Sequence, residues 1–147
     1  MSTRSNIVFP HTDGTVSVMY CHHDGYPEGV GQTLYDHYTD TDSVKRLVGL
    51  GYVSRLLADM DATRCHMVGG FGMKELPPHL MDDPPRTFPS LVAYLDSGDF
   101  MGAEWIYAWE RGGTAGGWWM AYEVTLVDNE DTVSPVESLG LTLGVRG

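Results

Sequence analysis

Between Tyr20 and Gly31 the chain runs Tyr-Cys-His-His-Asp-Gly-Tyr-Pro-Glu-Gly-Val-Gly. Imidazoles titrate near neutrality and bind metals, carboxylates exchange protons, and glycine lets a backbone approach a ligand closely. A metal site would pair His22 with Asp24, which alone could share a face on a strand, and draw a third ligand from His11, His37, His66 or His79. Adjacent strand residues point to opposite faces, so His22 and His23 would diverge. Neither His-Glu-x-x-His nor paired Cys-x-x-Cys occurs, so no metal and no other cofactor is expected. The same histidines with Asp24 or Glu28 would make an acid–base pair, and Cys21 a nucleophile. Sequence neighbours rarely take up catalytic geometry, and the Gly-x-Ser-x-Gly elbow is absent, so no catalytic residue is expected. Gly29-Val30-Gly31 stands where a helix should start, and free N–H groups at a helix start attract phosphate. The Gly-Lys-Ser/Thr of a phosphate loop is missing, and packing of the helix on the sheet is the expected reason for these glycines. The ligand-binding candidates are therefore His22, His23, Asp24, Tyr26, Glu28, Gly29 and Gly31.

The elements that must position them follow from periodicity. Asn6 to Phe9 and Thr15 to His22 are expected strands, joined near Asp13-Gly14, a hairpin signal. Val16, Val18 and Tyr20 alternate with Thr15, Ser17 and Met19, the pattern of a half-buried strand. Glu28 to Tyr38 is an expected helix, with Pro27 at its start and Val30, Leu34 and Tyr38 on one face. A second helix is expected over Ser43 to Leu50, with Val44, Leu47 and Val48 inward and Gly51 beyond its end. Ser54 to Met60 is a third short candidate. Residues 61–86 lose periodicity among Gly-Gly and Pro-Pro pairs and are expected to be loop with short strand-like pieces. Phe88 to Asp96 is expected to be helical, with Thr87 near the cap and Ser97-Gly98 ending it.

Ala103 to Arg111 and Gly117 to Val127 carry the strongest strand pattern. Trp105, Tyr107 and Trp109 alternate on the first, and Trp118, Met120, Tyr122, Val124 and Leu126 on the second. Glu104, Glu110, Glu123 and Thr125 fall on the opposite faces. One face of this hairpin is expected to be apolar and the other wet. Core packing, not base stacking, is the expected role of the strip. Trp119 is the candidate partner contact, because tryptophan is enriched at interface hot spots. After Asp128 a polar tail, 128–147, is expected to be loosely held, although Val136, Leu139, Leu141 and Leu143 would suit an edge strand. The expected architecture is one α+β domain, 1–147: a single antiparallel sheet built from the N-terminal and C-terminal hairpins, with three or so helices packed on one face.

Charge narrows the partners. The 147 residues include 20 acidic and 9 basic side chains, for a net charge of −11. Nucleic-acid binders need Lys and Arg to displace counterions, so a nucleic-acid partner is not expected. The acidity suits solubility, or a surface aimed at a basic partner. No apolar run reaches the ~20 residues of a membrane span, and the first residues lack a signal pattern, so a cytosolic protein is expected. Cys21 and Cys65 form no Cys-x-x-Cys pair and are expected to be reduced, buried hydrophobes.

Three stretches together resemble a group of small, mostly uncharacterised proteins of bacteriophages and bacterial mobile elements. The first is Tyr20 to Leu34, which carries Tyr-x-His-x-Asp-Gly-Tyr-Pro followed by a Gly-containing helix start. The second is Arg46 to Ser54, similar to a Leu-Ile-x-Leu-Gly-x-x-Ser segment. The third is Trp105 to Trp109 with Trp118 and Trp119, similar to a C-terminal aromatic hairpin. This chain departs from the group in having His23 where a bulky aromatic is common, and in a longer middle loop. The resemblance implies a non-enzymatic accessory protein that binds a host protein, a defence component included, in the bacterial host cytoplasm. It carries over no catalytic residue. The alternatives are a nucleotide- or phosphate-ligand binder or hydrolase centred on His22 to Gly31, and a structural component of the virion.

Overall fold

The computed structural model describes residues 3–64, 66–69, 74–75, 85–111, 117–127 and 130–138. Strands β1 (Ser5–Pro10) and β2 (Val16–Cys21) pair antiparallel around a turn whose Gly14 takes a φ of 94°. A π-helical turn, Pro27–Gly31, leads into α1 (Gln32–His37), followed by α2 (Thr41–Val48). The chain then returns as β3 (Tyr52–Val53), parallel to β2, because a helical crossover brings a chain back in its original direction. Helix α3 (Met60–Arg64) and a small pair, β4 (Val68–Gly69) with β5 (Lys74–Glu75), come next. They precede β6 (Arg86–Phe88), which pairs antiparallel with β2, and α4 (Leu91–Ser97). Finally β7 (Trp105–Arg111), β8 (Gly117–Val127) and β9 (Glu130–Ser138) form an antiparallel run.

The class is α+β, but the sheet is mixed. Its seven strands run β3-β2-β1-β7-β8-β9, with β6 also on β2. The expected all-antiparallel sheet fails at two joins, β1 on β7 and β3 on β2, both parallel. The first join links residues about a hundred positions apart, which no local pattern reports.

The expectation of helices on one face is corrected as well. The first face buries Ile7, Phe9, Met19, Tyr107, Trp109, Trp119 and Ala121 under Val30, Leu34, Tyr38, Val44, Leu47 and Val48 from the π turn, α1 and α2. The second face buries Val8, Val16, Val18, Ile106 and Ala108 under Tyr94 of α4 and Phe100. Neither face is the wet one. Every residue of β2 is therefore buried, where alternation suggested half-burial.

Local boundaries moved for identifiable reasons. Ser54 to Met60 is not a helix. The Thr63 hydroxyl accepts from the Leu57 N–H at 2.9 Å and lies 3.0 Å from the Leu57 carbonyl, folding that stretch around α3. Arg86–Phe88 is strand, and α4 starts after Ser90, whose hydroxyl accepts from the Ala93 N–H at 3.0 Å. Gly98, at a φ of 69°, ends α4 as expected. Helix α2 keeps its expected inward residues and is capped by the Asp40 carboxylate, which accepts from the Ser43 N–H at 2.9 Å. The expected loose tail contains β9, which lies along β8 and packs Val136 against the core. Leu139, Leu141, Leu143, Cys65 and most of the expected 61–86 loop lie outside the described residues.

Candidate functional site

Strand β2 ends at Cys21, and the next two amides continue its pairing. The His22 N–H donates to Val53 O at 3.1 Å and the His23 N–H to Ser54 O at 3.0 Å. The two imidazoles do not diverge. Their centroids lie 4.8 Å apart, edge to face at 78°. The reason is local, since the strand stops at Cys21 and Asp24 turns the chain with a φ of 57°. His22 Nδ1 lies 2.8 Å from the Tyr20 hydroxyl, and the positive charge of Arg4 acts on the same phenol. Burial, His23 and Arg4 together hold the His22 pKa below its ordinary value, so the ring is neutral at pH 7. Burial raises the Tyr20 pKa against the pull of Arg4, so the phenol keeps its proton. Arg4 was missed in the sequence. Pairing of Ser5 with Cys21 places it beside this cluster, so hairpin register was the signal that could have found it.

The following loop is held by its own backbone. The Gly25 N–H donates to Thr3 O at 2.9 Å, and Gly25 O accepts from the buried Tyr107 hydroxyl at 2.7 Å. A Cβ on Gly25 would sit 2.8 Å from the Arg4 carbonyl carbon, so only glycine fits this approach. The Gly29 N–H donates to Tyr26 O at 2.9 Å, the Val30 N–H to Asp24 O at 2.7 Å, and the Gly31 N–H to Tyr26 O at 3.4 Å. These are the amides a phosphate would need, and each already has an acceptor. A Cβ on Gly29 would collide with Asp24 O. Both glycines thus close the loop on itself.

The candidate residues therefore separate. His22 and His23 meet at the end of β2. Asp24 and Tyr26 pair beside them, the Tyr26 hydroxyl donating to Asp24 Oδ1 at 3.2 Å, with Arg55 3.9 Å from the carboxylate. These groups are exposed, and Glu28 is exposed on the π turn. Among the described residues no three of His, Cys, Asp and Glu are grouped to hold a metal. Cys21 is buried and its Sγ–H points to His23 O at 3.5 Å. Burial pushes its pKa up to about 12, so it is a protonated thiol rather than a nucleophile.

Trp119, the expected partner contact, is corrected to a core residue. It is 2% exposed, and its indole N–H donates to Tyr38 O at 2.9 Å. Its neighbour Trp118 is 50% exposed on the second face. Register explains the exchange: Trp109 lies opposite Trp119 and Glu110 opposite Trp118, so Trp118 shares a face with Ile106 and Tyr122 rather than with Trp109. On that face a groove of about 520 Å³ runs between α4 and β9, lined by Leu95, Asp96, Tyr122, Asp131, Thr132, Val133 and Pro135. Among the described residues no helix is long and apolar enough to cross a membrane. No protein-family model matches the chain, and no curated protein or solved structure matches it.

Proposed function

We propose that this chain is a non-enzymatic accessory protein, of the phage or mobile-element kind its sequence resembles, that works by binding a host protein in the bacterial cytoplasm. One observation carries most of the weight. The segment richest in chemistry is tied into its own fold, its Gly29, Val30 and Gly31 amides all donating to the Asp24 and Tyr26 carbonyls. The half-exposed Trp118, by contrast, stands on a face that is only partly covered. Affinity capture from host lysate tests the proposal, with defence components as the first partners to screen. A specific partner should be recovered by the wild-type chain and by the His22→Ala/His23→Ala variant, and lost with Trp118→Ala. Failure of the wild-type chain to recover any specific partner would overturn it.

A second reading has one observation in its favour: Arg4, Tyr20, His22 and His23 gather at one end of the sheet. A guanidinium beside neutral imidazole and phenol donors suits a small anionic ligand or a nucleotide. Thermal-shift measurements with nucleotides, inorganic phosphate and divalent metals separate the two readings. A rise in Tm abolished by Arg4→Gln would favour the ligand, and no rise with any of them would eliminate it.

A further inference from the structure

The second face of the sheet is covered over β1, β2 and β7 and thinly covered over β8 and β9. Val8, Val16, Val18, Ile106 and Ala108 are buried, whereas Tyr122, Val124 and Val133 are only partly so. Helix α4 is seven residues long, about 10 Å at 1.5 Å per residue, and its Leu91 and Leu95 reach the margin of this region. The groove left between helix and sheet has an apolar and aromatic lining from Leu95, Tyr122, Val133 and Pro135. Each wall carries one carboxylate, Asp96 from α4 and Asp131 from β9, and among the described residues no lysine or arginine lines it. Glu110 adds its charge to the surroundings of Tyr122. Asp96 also lies in the last turn of α4, at the negative end of the helix.

These features select an occupant. An anionic segment would be repelled by both walls. A purely apolar segment would cover two carboxylates without bonding them, which is costly. A lysine or arginine side chain meets both demands, because its methylene stem packs on apolar surface while its head bonds to carboxylate. A phenol face beneath the stem adds cation–π attraction. Strand addition at β9 is a poorer fit, because Pro135 removes a donor from that strand. The occupant therefore approaches the face of the sheet rather than its edge. The volume is within the range of side-chain and small-ligand pockets, roughly 300–1,000 Å³.

We infer that the groove between α4 and β9 docks a lysine- or arginine-bearing segment of a protein partner, the side chain lying over Tyr122 with its charge between Asp96 and Asp131. The inference rests on the protein-binding proposal and names the partner's chemistry. The test uses short synthetic peptides on one neutral, moderately apolar scaffold whose central residue is arginine, lysine, citrulline or glutamate. Binding to isotope-labelled protein is followed by amide chemical shifts. Arginine and lysine peptides should perturb Leu95, Asp96, Tyr122, Thr132 and Val133. Citrulline, which keeps the shape of arginine without its charge, should bind about tenfold more weakly, and glutamate not at all. Asp96→Asn with Asp131→Asn should weaken the arginine peptide by about tenfold, since both side chains are exposed and replaceable. Shifts elsewhere on the protein, equal binding of citrulline, or a double variant that binds normally would each overturn the inference. The two claims fail separately. If the Asp96→Asn/Asp131→Asn variant still captures the wild-type partner, the groove assignment falls and the broader proposal stands. If arginine peptides bind the groove while lysate holds no specific partner, the groove stands and the host-protein proposal falls.

Discussion

Trp118 and Trp119 are consecutive on β8 and meet opposite environments, one half exposed and the other buried against Tyr38 and Trp109. The two faces of the sheet differ in the same way. On the first face the π turn, α1 and α2, joined by Leu56 and Met67, cover the sheet. That cover is anchored by polar bonds at its centre. The Trp119 indole donates to Tyr38 O, and the Tyr38 hydroxyl donates to Leu57 O at 2.8 Å. The second face has a comparable supply of apolar side chains, but among the described residues one short helix to cover them. Composition alone does not decide which side of a sheet becomes core and which becomes surface. The length of helix that the connections deliver to each side does. The residues with obvious chemistry sit in a connection that builds the closed face, and the surface suited to binding lies on the other.

The comparison breaks most readily at the tryptophans. Trp119→Ala should cost about 3–5 kcal/mol in denaturant unfolding, because it empties a packed site and orphans the Tyr38 carbonyl. Trp118→Ala should stay within about 0.5 kcal/mol, as exposed substitutions do. Equal losses would mean that the second face is as closed as the first. Next in size is Gly29→Ala, which drives a methyl group into Asp24 O beneath the closed face. It should cost about 1–3 kcal/mol, measured the same way, by prising open the loop that starts the π turn. Unchanged stability there would show that the loop yields easily and that the glycine is kept for something other than packing.

How much of this was legible depends on the range of the interaction. The hairpin partners, the Val30-Leu34-Tyr38 stripe and the inward face of α2 were readable, because each depends on residues within a few positions of one another. The role expected for Gly29, packing the helix on the sheet, gives way to a close approach to Asp24 O within its own loop. The parallel join of β1 to β7 was not readable, since it pairs Ser5 with Trp105. Nor was the register of β7 on β8. Alternation groups Trp118 with Tyr122, and Trp105 with Trp109, but only register says that the two groups lie on opposite faces. That single parity turned the expected partner contact, Trp119, into core. Strands β3 and β6 are two and three residues long, too short for alternation to register, and both are ordered by pairing with β2. Pro135 argues locally against a strand, yet β9 is the outermost strand among the described residues, where a missing donor is tolerated. The site candidates were found by residue type, and their partner Arg4 was missed because its place depends on the register of β1 on β2, which pairs Ser5 with Cys21.

Smaller substitutions sharpen the contrast between lids. Asp40→Ala removes the cap of α2 on the closed face, and Ser90→Ala the cap of α4 on the open one. Each should cost about 1 kcal/mol in global stability. Their local effects should differ. In amide hydrogen exchange, α4 should open by local unfolding and exchange faster still in Ser90→Ala. Helix α2, held beneath the Trp109 and Trp119 cluster, should exchange only with the global transition. Matching protection of α2 and α4 would remove the asymmetry.

The smallest expected effect concerns the polar end of the sheet, where His22 meets Tyr20 and Arg4. The folded pKa of His22 lies below its ordinary value of 6.5, chiefly through burial and then through His23 and Arg4. Between those two pKa values the unfolded chain therefore binds more protons at this position than the folded one. Stability rises with pH wherever the unfolded state holds more protons. The contribution of His22 is thus fully present above pH 6.5 and is lost as the pH falls through the folded pKa. A histidine stabilised by a carboxylate would show the reverse slope. Urea midpoints should accordingly fall between about pH 7.5 and about pH 5, and fall less in His22→Gln. Asp13 also titrates below its ordinary value, but 3.8 is the upper limit of its window, so it does not overlap. The imidazole proton signals of His22 should titrate with a midpoint under 6.5, and Arg4→Gln should move that midpoint upward by removing a neighbouring positive charge. A midpoint at or above 6.5 would mean that the ring is open to solvent, and that this end of the sheet is less closed than the packing around Tyr20 indicates.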